Sequence, residues 1–149
     1  VLFSRSQTMD HNIFNINELS NKNRRLLQAA KKLAATSKYG TFKHGAILTS
    51  GSCIIGLGVN NEKYTSIGSK HHPTGNSAYS TYHVEIVSVL NLPRHVTKGS
   101  TIYVARTSKC GNEFRMSKPC EMCHAVLEER GVKKVFFSID ENTVGWYKL

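Results

Sequence analysis

Long hydrophobic runs are missing from this sequence, and none approaches the ~18 residues of a membrane span. The first residues, Val1 to Met9, lack a hydrophobic signal core and a small-residue cleavage site, so they do not read as a secretory leader. Cysteine is sparse, with four among 149 residues. Without a leader, two of them in a Cys-x-x-Cys pair speak for a reducing compartment rather than a disulfide framework. The expectation is an intracellular, cytoplasmic protein without a membrane partner. Cys53 reads as an inert core thiol, and Cys110 as an exposed loop thiol.

Acidic side chains are also few: 10 Asp plus Glu against 20 Lys plus Arg, for a formal charge of +10. The excess is uneven, since residues 1–43 hold eight basic and two acidic side chains. Such a surface attracts nucleotides, RNA or single-stranded DNA, and a plainly solvated face is the alternative. At 40% hydrophobic residues, the chain has the make-up of one globular domain. A chain of this size buries roughly 68–70% of its unfolded surface. Residues 1–19 read as an N-terminal arm, either partly vector-encoded or a natural tail, and residues 20–149 as a single domain.

Helical spacing begins near Ser20, where Leu26, Leu27, Ala30, Leu33 and Ala34 form one stripe, and Gly40 supplies a stop. Residues 46–49 and 53–59 predict a hairpin, in which Gly56 and Gly58 mark a bulge or a close backbone approach. A long polar stretch, 63–82, contains Tyr79 and Tyr82, which are candidates for stacking on a base or lining a pocket rim. A helix over 83–92 is ended by Pro93. A strand over 101–105, a helix over 120–130 stopped by Gly131, a strand over 132–138 and a short strand over 144–149 complete the order. This pattern is an α/β sandwich with a mixed sheet and covering helices.

Two short motifs carry chemistry. His83-Val84-Glu85 opens one predicted helix, and Pro119-Cys120-Glu121-Met122-Cys123 opens another. One imidazole and two thiolates are three zinc ligands that leave a fourth tetrahedral position for water. Cysteines three apart at a helix start can converge on one ion, where the free N–H groups and the dipole favour thiolates. Glu85 is placed to shuttle protons without being a ligand.

Histidine-x-glutamate followed by proline-cysteine-x-x-cysteine resembles the cytidine and deoxycytidylate deaminase superfamily, the zinc-dependent nucleobase deaminases. The resemblance spans most of residues 20–149. It implies a three-layer sandwich around a mixed five-stranded sheet, a Zn2+ ion on His83, Cys120 and Cys123, and Glu85 as the catalytic acid and base. It further implies that Asn60, ending the glycine-rich strand, contacts a sugar hydroxyl, and that the backbone N–H at Val84 holds the base. Val84 departs from the alanine usual there and adds bulk near that contact.

The reaction implied is hydrolytic deamination of cytosine to uracil in a cytidine or deoxycytidine nucleoside or nucleotide. A cluster of Arg106, Arg115 and Lys118 would fit a substrate phosphate. Met122 resembles the tRNA adenosine deaminases, whereas residues 131–138 look more like the deoxycytidylate branch, which favours cytosine. The alternatives are a cytosine or adenine deaminase acting on single-stranded DNA or RNA, including tRNA, and an inactive zinc-binding scaffold. By analogy with relatives, a homo-oligomer is also implied.

Overall fold

The computed structural model describes residues 12–37, 43–60, 84–90, 92–108, 110 and 112–149, and of residues 85–87 the backbone alone. In chain order the strands are β1 (Asn12–Asn15), β2 (Lys43–Ser50), β3 (Cys53–Val59), β4 (Thr101–Thr107), β5 (Phe114–Arg115), β6 (Lys134–Ser138) and β7 (Thr143–Lys148). The helices are α1 (Asn21–Ala35), α2 (Val84–Val89), α3 (Arg94–Thr97) and α4 (Glu121–Glu129). One sheet runs β1-β7-β6-β4-β2-β3, with β5 alongside β4. The β4–β6 pair is parallel, with α3 and α4 outside the pairing, and the remaining pairs are antiparallel.

Strand alternation sends side chains to two separate apolar layers. Ile47, Tyr103, Ala105, Phe136 and Val144 face α1, where they meet Leu27 and Ala30. Ala46, Leu48, Ile102, Val104, Val135, Phe137 and Tyr147 face the other way, against Val84 and Val89 of α2 and Met122, Cys123, Val126 and Leu127 of α4. Each fully buried Leu or Val contributes about 1.5–3 kcal/mol. The three-layer sandwich with a mixed central sheet is therefore as expected.

The sheet is wider than the five strands expected, because β1 and β5 extend it. Residues 12–15 pair with β7, and Asn15 then caps a 3-10 turn over Ile16–Glu18, its side chain accepting from the Asn17 N–H at 2.9 Å. α1 starts where the helical spacing begins, capped by Ser20, and ends at Ala35, while Gly40 lies outside the described residues. Pro93 both follows α2 and N-caps the short helix α3. Cys53 is corrected: it begins β3 on the exposed rim of the sheet rather than in the core. The run of apolar neighbours suggested burial, but β3 is an edge strand, and its Ile54 and Leu57 are exposed as well.

Both readings of the β3 glycines hold. The pairing with β2 shifts register between Leu48 and Thr49, a bulge on β3 at Ile55. A Cβ on Gly58 would lie 2.7 Å from the Val84 carbonyl oxygen, and one on Gly56 would lie 2.5 Å from that of Ser88. Two missing side chains thus let α2 sit directly on the strand.

Tyr103 ties the sheet to α1. Its hydroxyl donates to Asn23 Oδ1 at 2.6 Å, and burial pushes the phenol up from 10.0 to about 12. An unfolded tyrosine ionises first as pH rises, so the stability carried by this group is whole below pH ~10 and is lost as pH approaches 12. Tyr103→Phe should cost about 0.5–1.5 kcal/mol near neutrality. It should also flatten the decline above pH ~10, as read by urea denaturation across that range. An alkaline slope equal to the parent's would contradict this.

Candidate metal and substrate site

α4 presents the cysteine pair. Pro119 is buried, Cys120 is the exposed N-cap, and Cys123 is fully buried one turn later. The Cys120 carbonyl accepts from the His124 N–H at 2.9 Å, so the helix begins at the first thiol. None of the four cysteines is in a disulfide. The far end of α4 is closed by Gly131 at φ 78, whose N–H reaches the Glu128 carbonyl at 3.0 Å.

Val84 opens α2 on the same face of the sheet and lies in the same apolar cluster as Cys123. At 1% exposure its side chain belongs to that core. His83, Tyr79 and Tyr82 lie outside the described residues, and Glu85 is placed only as a backbone position in α2. Among the described residues no group of three His, Cys, Asp or Glu is arranged to hold a metal ion.

Asn60 follows β3 and is fully buried. Its Oδ1 accepts from the His44 N–H at 2.9 Å, its own N–H donates to the His44 carbonyl at 3.2 Å, and its carbonyl accepts from the Ser37 hydroxyl at 3.0 Å. The side-chain oxygen thus serves the fold.

Arg106 and Arg115 are register partners on β4 and β5. Their neighbours Thr107 and Phe114 are also paired, and Phe114 belongs to the α1 layer. Alternation therefore places both arginines on the face that carries α2 and α4. His44 of β2 is the partner of Arg106 on its other side, so an imidazole and two guanidinium groups lie in register across three strands. Like charges in register oppose pairing. Arg115 is moderated by Glu113 at 2.8 Å. Lys118 stands over the Tyr147 ring, 5.8 Å from its centroid.

Sequence reasoning missed what holds the Pro119 segment. Ser117 is buried, and its hydroxyl lies 3.0 Å from the Val104 carbonyl and 2.9 Å from Ser138 Oγ, while accepting from the Ser138 N–H at 2.8 Å. Ser138 Oγ in turn donates to the Arg115 carbonyl at 2.6 Å and accepts from the Arg106 N–H at 3.2 Å. This clasp joins the ends of β4, β5 and β6 three residues before Cys120. Two serines 21 positions apart leave no periodic trace in the sequence. Ser117→Ala strands buried backbone groups and should cost about 1–3 kcal/mol, measured as a lower urea midpoint. An unchanged midpoint would show the clasp to be dispensable.

Cys110, on the β4–β5 loop, is exposed, with Sγ 3.5 Å from Ser108 Oγ. Its thiol is lowered below the ordinary range by the Ser108 hydroxyl first and the Asn112 backbone next.

An α/β sandwich with a Cys-x-x-Cys helix start, facing a glycine-seated second helix, defines a class. The chain belongs to the family described as the cytidine and deoxycytidylate deaminase zinc-binding region, whose model matches residues 20–139. Among solved structures it is similar to the dCMP deaminase from the cyanophage S-TIM5 in apo form. The identity there is 20% and the TM-score 0.54, over 80% of this chain and 84% of that one. It is also similar to a mutant cytidine deaminase from Mycobacterium tuberculosis, at 23% identity and TM-score 0.47, over 76% of this chain and 81% of the other. Acinetobacter baumannii RibD matches at 17% identity and TM-score 0.47 over 76% of this chain, which spans only 27% of that longer one. Comparison with curated proteins finds no match. No helix among the described residues is long and apolar enough to cross a membrane.

Proposed function

We propose that this protein is a zinc-dependent hydrolase that converts cytosine to uracil in a cytidine or deoxycytidine nucleotide or nucleoside, releasing ammonia. The observation that carries the reading is the shared placement of the two motif-bearing helices. Val84, between His83 and Glu85, and Cys123 pack in one cluster on one face of the sheet. The donor set fits zinc: two thiols at a helix start, where thiolates are favoured, joined by the His83 imidazole. Zinc held there would supply the Lewis acidity that makes water nucleophilic near pH 7.

The chain's own residues do the proton work. Glu85 takes a proton from the attacking water and delivers it to N3 of the ring as oxygen bonds to C4. It then passes the second proton to the amine, the C4–N bond breaks, and ammonia leaves. The backbone N–H at Val84 orients the base, and Asn60 is assigned to a sugar hydroxyl. Tyr79 and Tyr82 are assigned to the rim of the base pocket. The cationic row of Arg106 and Arg115, with Lys118 on the following segment, supports a phosphate-bearing substrate over a bare nucleoside.

Ammonia release and zinc content, measured together on cytidine, deoxycytidine, their monophosphates, adenosine and single-stranded DNA and RNA, test the reading. The expected result is one zinc per chain and preferred turnover of a cytidine or deoxycytidine monophosphate. Bound zinc with no release from any of these would favour an inactive scaffold.

A further inference from the structure

The outer side of α1 holds a feature the deamination chemistry does not use. Its 15 residues contain five Lys or Arg and no Asp or Glu. An open groove of about 590 Å³ runs along this helix, lined by Arg25, Gln28, Lys31, Lys32 and, from the β4–β5 loop, Asn112. Its lining lies on the α1 side of the sheet, whereas Cys120 and Cys123 belong to the helix on the other side.

Arg25, Gln28 and Lys32 are exposed and Lys31 is half-buried, so a ligand can reach them. Arg25 and Lys32 are seven residues apart, roughly 10 Å along the axis at 1.5 Å per residue. Lys31 is held between the Phe114 ring, 4.7 Å from its centroid, and Glu141 at 3.6 Å. Lys32 has no ion-pair partner among the described residues. Gln28 and Asn112 add neutral amide donors and acceptors along the same groove. Cations spaced along a groove, with amides between them, match a chain of phosphodiesters better than one compact anion. The lining residues include no aromatic on which a base would stack, so recognition would follow the backbone with little sequence preference.

We propose that the α1 groove is a docking surface for the sugar–phosphate backbone of single-stranded nucleic acid, separate from the cysteine site and independent of the deamination reading. Binding is carried by Arg25, Lys31 and Lys32 and is tuned by Glu141, which offsets part of the Lys31 charge.

The test is fluorescence anisotropy of the full chain with labelled 15-nucleotide oligothymidylate and oligouridylate between 50 and 200 mM salt. Neither probe contains an amine to remove, so binding is read without turnover. Three neutralised phosphates give a slope of log K against log[salt] of about −2, from about −0.7 each. Arg25→Gln with Lys32→Gln should weaken binding about tenfold at the lowest salt and shrink the slope by about 1.4. Glu141→Gln keeps the oxygen that accepts from the Phe114 N–H at 2.9 Å and should tighten binding. Lys133→Gln, exposed just before β6 at the opposite end of the sheet, should change neither quantity. Circular dichroism melts confirm that each variant is folded. The proposal is overturned if the double variant keeps the parent's affinity and slope. Equal weakening by Lys133→Gln, or equal competition by polyglutamate or inorganic phosphate, also overturns it.

Discussion

A Glu85→Gln protein should keep its zinc and lose about 10²–10⁴-fold or more in ammonia release, the range assigned to a positioned general acid or base. Glutamine preserves the size of the side chain and removes the carboxylate that accepts the proton. Cys120→Ala and Cys123→Ala should behave differently, losing metal and turnover together, because each removes one thiolate of the proposed zinc set. Metal analysis beside single-turnover kinetics separates the two patterns. Retained zinc with near-parental turnover in Glu85→Gln would remove Glu85 from the mechanism. Loss of zinc in that variant would make it a ligand or a support for one.

Gly58→Ala should damage stability and activity at once. The added methyl would lie 2.7 Å from the Val84 carbonyl oxygen and 3.0 Å from the Ser88 nitrogen. Both are backbone atoms, which cannot rotate away as a side chain does, so α2 must lift from β3. Overpacking of this kind costs about 1–3 kcal/mol. His83 and Glu85 flank Val84, so the same shift moves the proposed catalytic group, and a 1 Å misplacement can cost about 10²-fold in rate. Urea denaturation, followed by kcat/KM at a temperature where both proteins are folded, reads the two effects. A variant as stable and as active as the parent would show that α2 tolerates the displacement.

Much of this architecture was legible because strong periodicity leaves little choice. Leu27, Ala30 and Ala34 form the buried stripe of α1, and the alternation through Ile102, Tyr103 and Val104 assigns each side chain to a face of the sheet. The helix start at Cys120 was readable from Pro119 and the spacing of the thiols. The misses have physical causes. β5 is two residues long, too short for any period, and exists because Phe114 packs into the α1 layer. β1 carries an asparagine at each end, a residue type depleted from strands, and is held by its pairing with β7. Cys53 misled because local hydrophobicity cannot reveal that its strand forms the edge of the sheet. In the site, Asn60 was singled out, but its hydrogen bonds to His44 and Ser37 depend on chain segments far away in sequence.

The clasp between Ser117 and Ser138 also bears on how this site can be varied. The β4–β5 loop is closed on itself, with the Ser108 N–H donating to the Glu113 carbonyl at 2.8 Å, while Ser117 is fixed separately to β4 and β6. The cysteine pair therefore takes its position from the sheet and not from the loop that precedes it. Changes to the chain between Ser108 and Glu113, by drift over generations or by design, should leave the thiols in register.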